Sequence, residues 1–273
     1  MIRLAVRCNP EDAELVLAEL SSLAPNGFEE EQGRDYVEFA IYGGEGELPD
    51  LGRIGATAGD GTVEVSATEV PDDWADRWQD FHQPLLIGDR VWVRPSWAEP
   101  SDGAIDVVIE PGRAFGTGAH LTTRLCVELL VELAGAGAAK GPLTDLGTGS
   151  GVLAIVAAKL GWAPVTGFDH EPASLAAAEA NGSANGVQLV LDRVNLRQEL
   201  PGLAPVVVAN LTSPLLRGIA AALEGRGLPR HLICSGLLQA EADEVGGRFA
   251  DAGLVERERR HEGDWAAISL APR

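Results

Sequence analysis

The stretch DLGTGSG at residues 145–151 constrains the fold most, because glycine occupies every second position from Gly147 to Gly151. Glycine has no Cβ, so such a turn lets the backbone come close to a ligand. The preceding LTDL is typical of a short buried strand, and the following VLAIVAAKLG is typical of a buried helix. A strand, a glycine turn and a helix in this order predict a ligand site in an α/β domain.

The spacing of the glycines excludes two common nucleotide motifs. Dinucleotide-binding turns have the pattern G-x-G-x-x-G, and phosphate-binding loops need a Lys followed by Ser or Thr. Asp169 ends the next apolar run, 18 residues after Gly151, where an acid can accept hydrogen bonds from both ribose hydroxyls of an adenosine. An adenosine site with nothing to neutralise a pyrophosphate predicts S-adenosylmethionine as the ligand; a tight turn without a ligand is the alternative.

Short apolar runs alternate with helical stretches through residues 101–273. The runs include VTGFDH, PVVVANL and HLICSGL, and this alternation predicts a parallel, doubly wound, Rossmann-like α/β domain. Ligands of such sheets bind beyond the carboxyl ends of the strands, so Asn210, at the end of VVVAN, is expected to face the reacting centre. A turn residue that merely terminates the strand is the alternative.

The N-terminal quarter has a different pattern. Residues 1–70 contain four strand-like stretches and one amphipathic helix, which predicts a small ferredoxin-like α+β domain. This segment holds fifteen Asp and Glu against four Arg, a net charge of −11, and is expected to recognise the substrate. Residues 71–100 contain four of the six tryptophans and are expected to be a linker, with Trp74 and Trp78 on the buried face of a helix.

The composition excludes several classes of protein. The formal net charge is −20 at pH 7, so the chain is expected to repel nucleic-acid phosphates. Cys8, Cys126 and Cys234 lack the C-x-x-C spacing of a metal site and are expected to be buried thiols, and no metal is predicted. No apolar run is long enough for a membrane span, which favours a soluble, cytoplasmic protein.

A second glycine-rich stretch, AFGTGAHLTTR, precedes a predicted helix. Thr122 is expected to be the N-cap of that helix, although contact with a ligand is the alternative. His120 is either a catalytic base or an imidazole that packs in the loop, and packing is the favoured interpretation.

Together these stretches resemble the PrmA family, bacterial methyltransferases that modify the eleventh protein of the large ribosomal subunit. The match runs nearly end to end and includes RPSW, AFGTGAHLTTR, DLGTGSG and the closing Gly263-Asp264-Trp265. The resemblance implies that S-adenosylmethionine is the cofactor, and Asn210 is also expected to position the target amine. The candidate cofactor contacts are Thr123, Gly147, Asp169 and Asn210, with Phe115, Gly116 and Gly149 from the two glycine-rich stretches.

The resemblance also implies the chemistry and the partner. It predicts repeated methylation of lysine side chains and of an N-terminal amine of a basic ribosomal protein, by in-line attack of a neutral amine without a dedicated base. Another protein lysine, a small-molecule amine, or a binding module without activity are the alternatives. The chain departs from the family at Thr148, where Cys is usual, and at Thr212-Ser213, which put hydroxyls where the family is apolar, beside the expected target amine.

Overall fold

The computed structural model describes residues 2–9, 16, 29–33, 36–43, 64–69, 83–110 and 120–273. The chain divides into two compact units, Met1–Phe81 and His82–Arg273, and each is described by itself. The boundary predicted after residue 70 lies outside the described residues. Residues 83–100, which were assigned to the linker from the sequence, belong to the larger unit.

The smaller unit contains a four-stranded antiparallel sheet. Its strands are β1 (Ile2–Cys8), β2 (Glu29–Gln32), β3 (Val37–Gly43) and β4 (Glu64–Glu69). The spatial order β2-β3-β1-β4 is that of a ferredoxin-like sheet, as the sequence predicts. The helix predicted between β1 and β2 lies outside the described residues apart from Val16, which is helical and buried.

One charged cluster lies on β1 and β3 of this sheet. The Glu38 carboxylate accepts hydrogen bonds from Arg3 (2.5 Å) and Arg7 (2.9 Å), and the hydrogen bond from Arg3 is the main reason that the pKa of Glu38 is lowered. The Arg7 guanidinium also lies 4.1 Å from the centre of the Tyr36 ring. Because Glu38 is buried and paired with two arginines, it supports the sheet and is not available to a partner.

The larger unit begins with a three-stranded sheet. Its strands are β5 (Leu85–Ile87), β6 (Val91–Arg94) and β7 (Ile105–Val108). β5 is antiparallel to β6, and β6 is parallel to β7. The Arg94 side chain ties the sheet to the following turn, because it donates to the Asp106 carboxylate (2.6 Å) and to the carbonyl of Ala98 (2.6 Å).

The principal sheet has seven strands. They are β8 (Leu143–Leu146), β9 (Val165–Asp169), β10 (Leu189–Arg193), β11 (Val206–Asn210), β12 (His231–Leu238), β13 (Leu254–Glu262) and β14 (Trp265–Pro272). Their order is β10-β9-β8-β11-β12-β14-β13, and the first five strands are parallel. The sequence predicts a parallel sheet, and the structure differs from this at one edge. There β14 is antiparallel to both of its neighbours, β12 and β13. The two-residue turn at Gly263 (φ +56°) reverses the chain between β13 and β14.

Helices cover both faces of this sheet, as a doubly wound fold requires. They are α1 (Leu121–Gly135), α2 (Val152–Leu160), α3 (Pro172–Ala184), α4 (Ser213–Leu223) and α5 (Gln239–Asp251). One buried apolar cluster joins α1 and α2 to the sheet, and a second joins α4 and α5. All three cysteines are buried free thiols, as predicted. Among the described helices, none has the length and hydropathy needed to cross a membrane.

Candidate active site

Three adjacent strands bring the predicted residues to one edge of the principal sheet. β8 lies between β9 and β11, and all three are parallel, so their carboxyl ends meet at the same edge. The glycine turn follows β8, Asp169 ends β9 and Asn210 ends β11. The glycine turn, Asp169 and Asn210 therefore lie at one edge of the sheet, although long connections separate them in sequence.

The glycine turn needs glycine for conformation and for space. Gly147, Gly149 and Gly151 have φ values of +73°, +54° and +83°, where other residues are strained. A side chain at Gly147 would collide with Leu211, the residue after Asn210. The N–H groups of Gly147 and Thr148 donate to the Phe168 carbonyl (2.8 and 2.9 Å), so the turn is hydrogen-bonded to β9.

The Asp169 carboxylate is held in place by backbone N–H groups. Its Oδ2 accepts from Gly149 N (3.0 Å) and its Oδ1 accepts from Glu171 N (3.0 Å). A carboxylate offers about four lone-pair positions, so each oxygen retains one acceptor position beyond these backbone bonds. The exposed His170 ring also lies close, with its Nδ1 3.4 Å from Asp169 Oδ1. The side chain is thus oriented for two further donors, the number that a ribose diol supplies.

The Asn210 carboxamide bonds to both threonines of the TTR stretch. Its Nδ2 donates to Thr122 Oγ1 (3.1 Å) and to Thr123 Oγ1 (3.3 Å), which lie 88 and 87 residues away in sequence. Both threonines are 1% exposed. The two N–H groups of the amide are therefore used, and Asn210 Oδ1 is left as an acceptor.

His120, not Thr122, is the N-cap of α1. The helix starts at Leu121, and His120 Nδ1 accepts from Thr122 N (3.3 Å). The prediction for Thr122 was wrong because this imidazole supplies the acceptor that a threonine usually provides, and the Thr122 hydroxyl lies 2.7 Å from His120 Nδ1. The His120 ring meets Trp265 edge to face at 5.0 Å, and burial lowers the pKa of His120. These contacts agree with a packing role for the imidazole.

Asp145, near the end of β8, is a polar residue for which the sequence suggested no role. It is 1% exposed, its Oδ2 accepts from the Thr148 hydroxyl (2.8 Å), and its Oδ1 forms no hydrogen bond of standard geometry among the described residues, although the Ala154 backbone N–H lies near enough to the carboxyl to help lower its pKa. Burial raises the pKa of Asp145 to about 7, while the hydrogen bond from Thr148 lowers it. The signal in the sequence was an acid within the short strand LTDL, whose four residues are all buried.

Thr212 and Ser213 have different environments. Thr212 is the N-cap position of α4 and is exposed, whereas Ser213 is 2% exposed. Within the described residues, Ser213 Oγ forms no hydrogen bond of standard geometry, yet it lies near enough to Glu241 of α5 to be the main cause of the lowered pKa of that acid. Of these two hydroxyl side chains, that of Thr212 is therefore the exposed one beside the end of β11.

Two predicted contacts cannot be placed. Phe115 and Gly116 lie in residues 111–119, outside the described part of the chain. The described part contains no group of three or more His, Cys, Asp or Glu side chains that could hold a metal ion.

The order and directions of the seven strands, with a glycine turn after β8 and an acid at the end of β9, define the class I S-adenosylmethionine-dependent methyltransferases. Within that class, the family model "Ribosomal protein L11 methyltransferase (PrmA)" matches residues 49–272. The chain belongs to this family, which confirms the resemblance seen in the sequence. It is an enzyme that uses S-adenosylmethionine as its methyl donor.

Individual relatives agree with this assignment. The chain is 37% identical over 219 residues to the ribosomal protein L11 methyltransferase of Geotalea uraniireducens, covering 76% of this chain and 70% of that protein. It is 39% identical over 201 residues to the enzyme of the same name from Shewanella halifaxensis, covering 72% and 67%. A crystal structure of the ribosomal protein L11 methylase of Lactobacillus delbrueckii subsp. bulgaricus shares the fold, with a TM-score of 0.62, 24% identity, and 71% of this chain and 99% of that chain covered.

Proposed function

We propose that this protein transfers methyl groups from S-adenosylmethionine to lysine side chains and to the N-terminal α-amine of ribosomal protein L11. Its relatives carry the name of that substrate. The observation that carries the proposal is the presence of an oriented carboxylate, Asp169, and an oriented carboxamide, Asn210, at strand ends on either side of β8. The Asp169 carboxylate suits the hydroxyls of a ribose, and the Asn210 carboxamide suits an amine.

The residues around the turn fit the cofactor. Asp169 would accept from the ribose hydroxyls, while Gly147 and Gly149 would let the backbone approach the ligand. Asp145 Oδ1 is a buried acceptor that forms no hydrogen bond of standard geometry among the described residues, and the α-ammonium group of S-adenosylmethionine is a donor that would satisfy it. The proposed contacts also include Thr123, Phe115 and Gly116.

S-adenosylmethionine, when bound, supplies a methyl group activated by a sulfonium. The chain's own task is to hold the acceptor nitrogen in line with that methyl. Asn210 Oδ1 would accept a hydrogen bond from the amine, and the bonds from its Nδ2 to Thr122 and Thr123 keep the oxygen in one orientation. His120 is not needed as a base, because its Nδ1 already accepts from the first turn of α1. The amine must therefore arrive neutral and release its protons to water.

The partner in this proposal is a basic protein, recognised by residues 1–70, with a linker at residues 71–100 and the catalytic domain at residues 101–273. The net charge of −11 on residues 1–70 supports this role, because opposite charge speeds encounter and orients the partner. The same charge disfavours direct binding to nucleic acid. The reaction would take place in the cytoplasm, where ribosomal proteins are made.

One experiment tests the proposal. The protein is incubated with methyl-labelled S-adenosylmethionine and an extract of unmethylated ribosomal proteins, and the labelled products are identified by mass spectrometry. Label on lysines and on the N-terminus of L11 is expected. Label on another protein or only on a small molecule would refute the substrate, and the absence of any heat of S-adenosylmethionine binding in calorimetry would refute the cofactor site.

A further inference from the structure

Asn181 of α3 and Asn185, the C-cap residue directly after α3, pair with the free edge of β7. Asn185 Oδ1 accepts from Val108 N (2.9 Å) and its Nδ2 donates to Val108 O (2.6 Å), as a neighbouring strand would. Asn181 Oδ1 accepts from the next N–H of the same edge, that of Glu110 (3.1 Å). The two side chains therefore attach α3 to the end of β7.

The spacing of these residues explains why the match is possible. Asn181 and Asn185 are four residues apart, about 6 Å along a helix, and they lie on the same helix face. Val108 and Glu110 are two residues apart, about 6.6 Å along an extended chain, and their N–H groups point to the same side. A pair of amides at this helical spacing can thus follow an extended backbone.

Asn181 alone of the pair also reaches the glycine turn. Its Nδ2 donates to the Ser150 carbonyl (2.8 Å), and the side chain is 3% exposed. Asn185 uses its Nδ2 on the Val108 and Asn181 carbonyls instead. Asn181 is therefore the bridge between β7, whose last residues lead into residues 111–119, and the turn after β8.

The bridge complements the contacts that hold the turn from the other side. Towards β9, the turn is tied by the Phe168 carbonyl and by Asp169 Oδ2. Towards α3, a Cβ on Gly151 would lie 3.0 Å from Ala178, which shows how closely the helix approaches. Within the described residues, Asn181 supplies the side-chain hydrogen bond from α3 to the turn.

We infer that Asn181 is a positioning residue for the cofactor: its hydrogen bond to the Ser150 carbonyl holds the glycine turn in the conformation that binds S-adenosylmethionine. A turn with three left-handed glycines has many accessible conformations, so each tie that removes alternatives raises affinity without touching the ligand. The inference rests on the proposed placement of the cofactor at this turn.

The test compares two matched variants. Asn181→Asp keeps an acceptor for Glu110 N but loses the donor to Ser150 O, whereas Asn185→Asp keeps the acceptor for Val108 N and loses only donors to Val108 and Asn181. We expect Asn181→Asp to weaken S-adenosylmethionine binding about tenfold in calorimetry, and Asn185→Asp to change it less than about twofold, with thermal stability lowered in both. In kinetics, the KM for S-adenosylmethionine should rise in the Asn181 variant with little change in kcat.

Two further variants, Asn181→Leu and Asp169→Ala, separate a loss of positioning from a loss of folding and from a misplaced cofactor site. Asn181→Leu removes both bonds without adding a buried charge and should weaken binding at least as much. Equal affinities for the two Asp variants, or loss of folding in both Asn181 variants, would make Asn181 a purely structural residue and overturn the inference. Asp169→Ala separates this from a failure of the proposed function: if it binds as well as the wild type, the cofactor does not lie at the turn at all.

Discussion

At the scale of single residues, the two principal polar side chains of the site are held in place by hydrogen bonds within the protein before any ligand binds. Asp169 is oriented by two backbone N–H groups, and Asn210 is oriented by two threonine hydroxyls. Such preorganisation reduces the entropy that binding must remove. Residue types and strand ends predicted which residues would gather here, but not which donors each would use.

The first prediction concerns Asp169→Ala. The variant loses an ionised acceptor for two ribose hydroxyls, each bond contributing about 1.5 to 3 kcal/mol, and also releases Gly149 N from its partner. We expect the Kd for S-adenosylmethionine to rise at least about a hundredfold in calorimetry. Glu171→Gln, a change at the exposed neighbouring acid, is the control. A Kd within twofold of the wild type for Asp169→Ala would exclude the ribose contact.

The second prediction concerns the buried carboxyl of Asp145. Burial raises the pKa of Asp145 from 3.8 in the unfolded chain to about 7 in the folded protein. The hydrogen bonds from the Thr148 hydroxyl and the Ala154 backbone act in the opposite direction and lower the pKa. Cys126 of α1 and Asp169 of β9 are the titratable groups that interact with it, and the Asp169 charge also raises the pKa. The contribution of protonated Asp145 to stability is therefore full below about pH 3.8 and is lost as pH rises through about 7.

Asp145→Asn tests this dependence, because the amide carries no charge at any pH. The free energy of unfolding of the variant, relative to the wild type, should rise by roughly 2 to 4 kcal/mol between pH 4 and pH 8 in urea titrations. The control Asp102→Asn, at an exposed turn residue, should show no such trend. A difference that stays constant with pH would mean that Asp145 is ionised in the folded protein throughout this range.

At the scale of helices and strands, local patterns predicted most elements of the principal sheet. The apolar runs around β8, β9, β11 and β12 became strands, because their residues are buried on both faces. The end hairpin of β13 and β14 was missed, since LVERERRHE is a nearly continuous run of charged residues without the apolar alternation that is typical of a strand. Local pattern also misplaced the start of α1, where a histidine acts as N-cap.

The third prediction concerns the approach of β12 to the end of β11. Gly236 has φ +82° and lies where β12 shifts register, and a Cβ there would be 2.5 Å from the Leu211 carbonyl oxygen. Gly225 has a similar φ of +73° with no atom within 4 Å, so it is a matched control for backbone strain alone. Gly225→Ala should cost about 1 to 2 kcal/mol of stability.

Gly236→Ala should cost about 1 to 3 kcal/mol more than its control, because the backbone of Leu211 must move. Leu211 follows Asn210 directly, so methyl transfer should also fall at temperatures where both variants are folded. Urea unfolding and initial rates measure the two effects. Equal losses of stability in the two variants would show that β12 yields easily and that close packing at Gly236 is unimportant.

At the scale of the whole molecule, charge is distributed unevenly between the two parts of the chain. Residues 1–70 carry a net charge of −11 and residues 71–273 a net charge of −9, although the second segment is almost three times longer. An ordinary solvated surface would account for acids spread evenly over the chain. The concentration at one end is what supports a docking role for the N-terminal segment.

The fourth prediction is that docking depends on this segment and on salt. A truncated chain that begins near Val70 should still bind S-adenosylmethionine but lose most methylation of L11. For the full chain, the KM for L11 should rise as salt is added, because the screening length falls to about 8 Å at physiological ionic strength. Equal activity of both chains on L11, independent of salt, would place recognition in the catalytic domain.

The sequence by itself determined the alternation of strands and helices, the left-handed glycine turn and the family, because these depend on residues close together in the chain. Only the tertiary structure decided which side chains satisfy one another. Asn210 meets Thr122 and Thr123 across more than 80 residues, and Asn181 meets Ser150 across 31. These contacts follow from the order of strands in the sheet, and a buried donor takes whichever acceptor that order brings within reach. Periodicity along the chain carries no information about such distances.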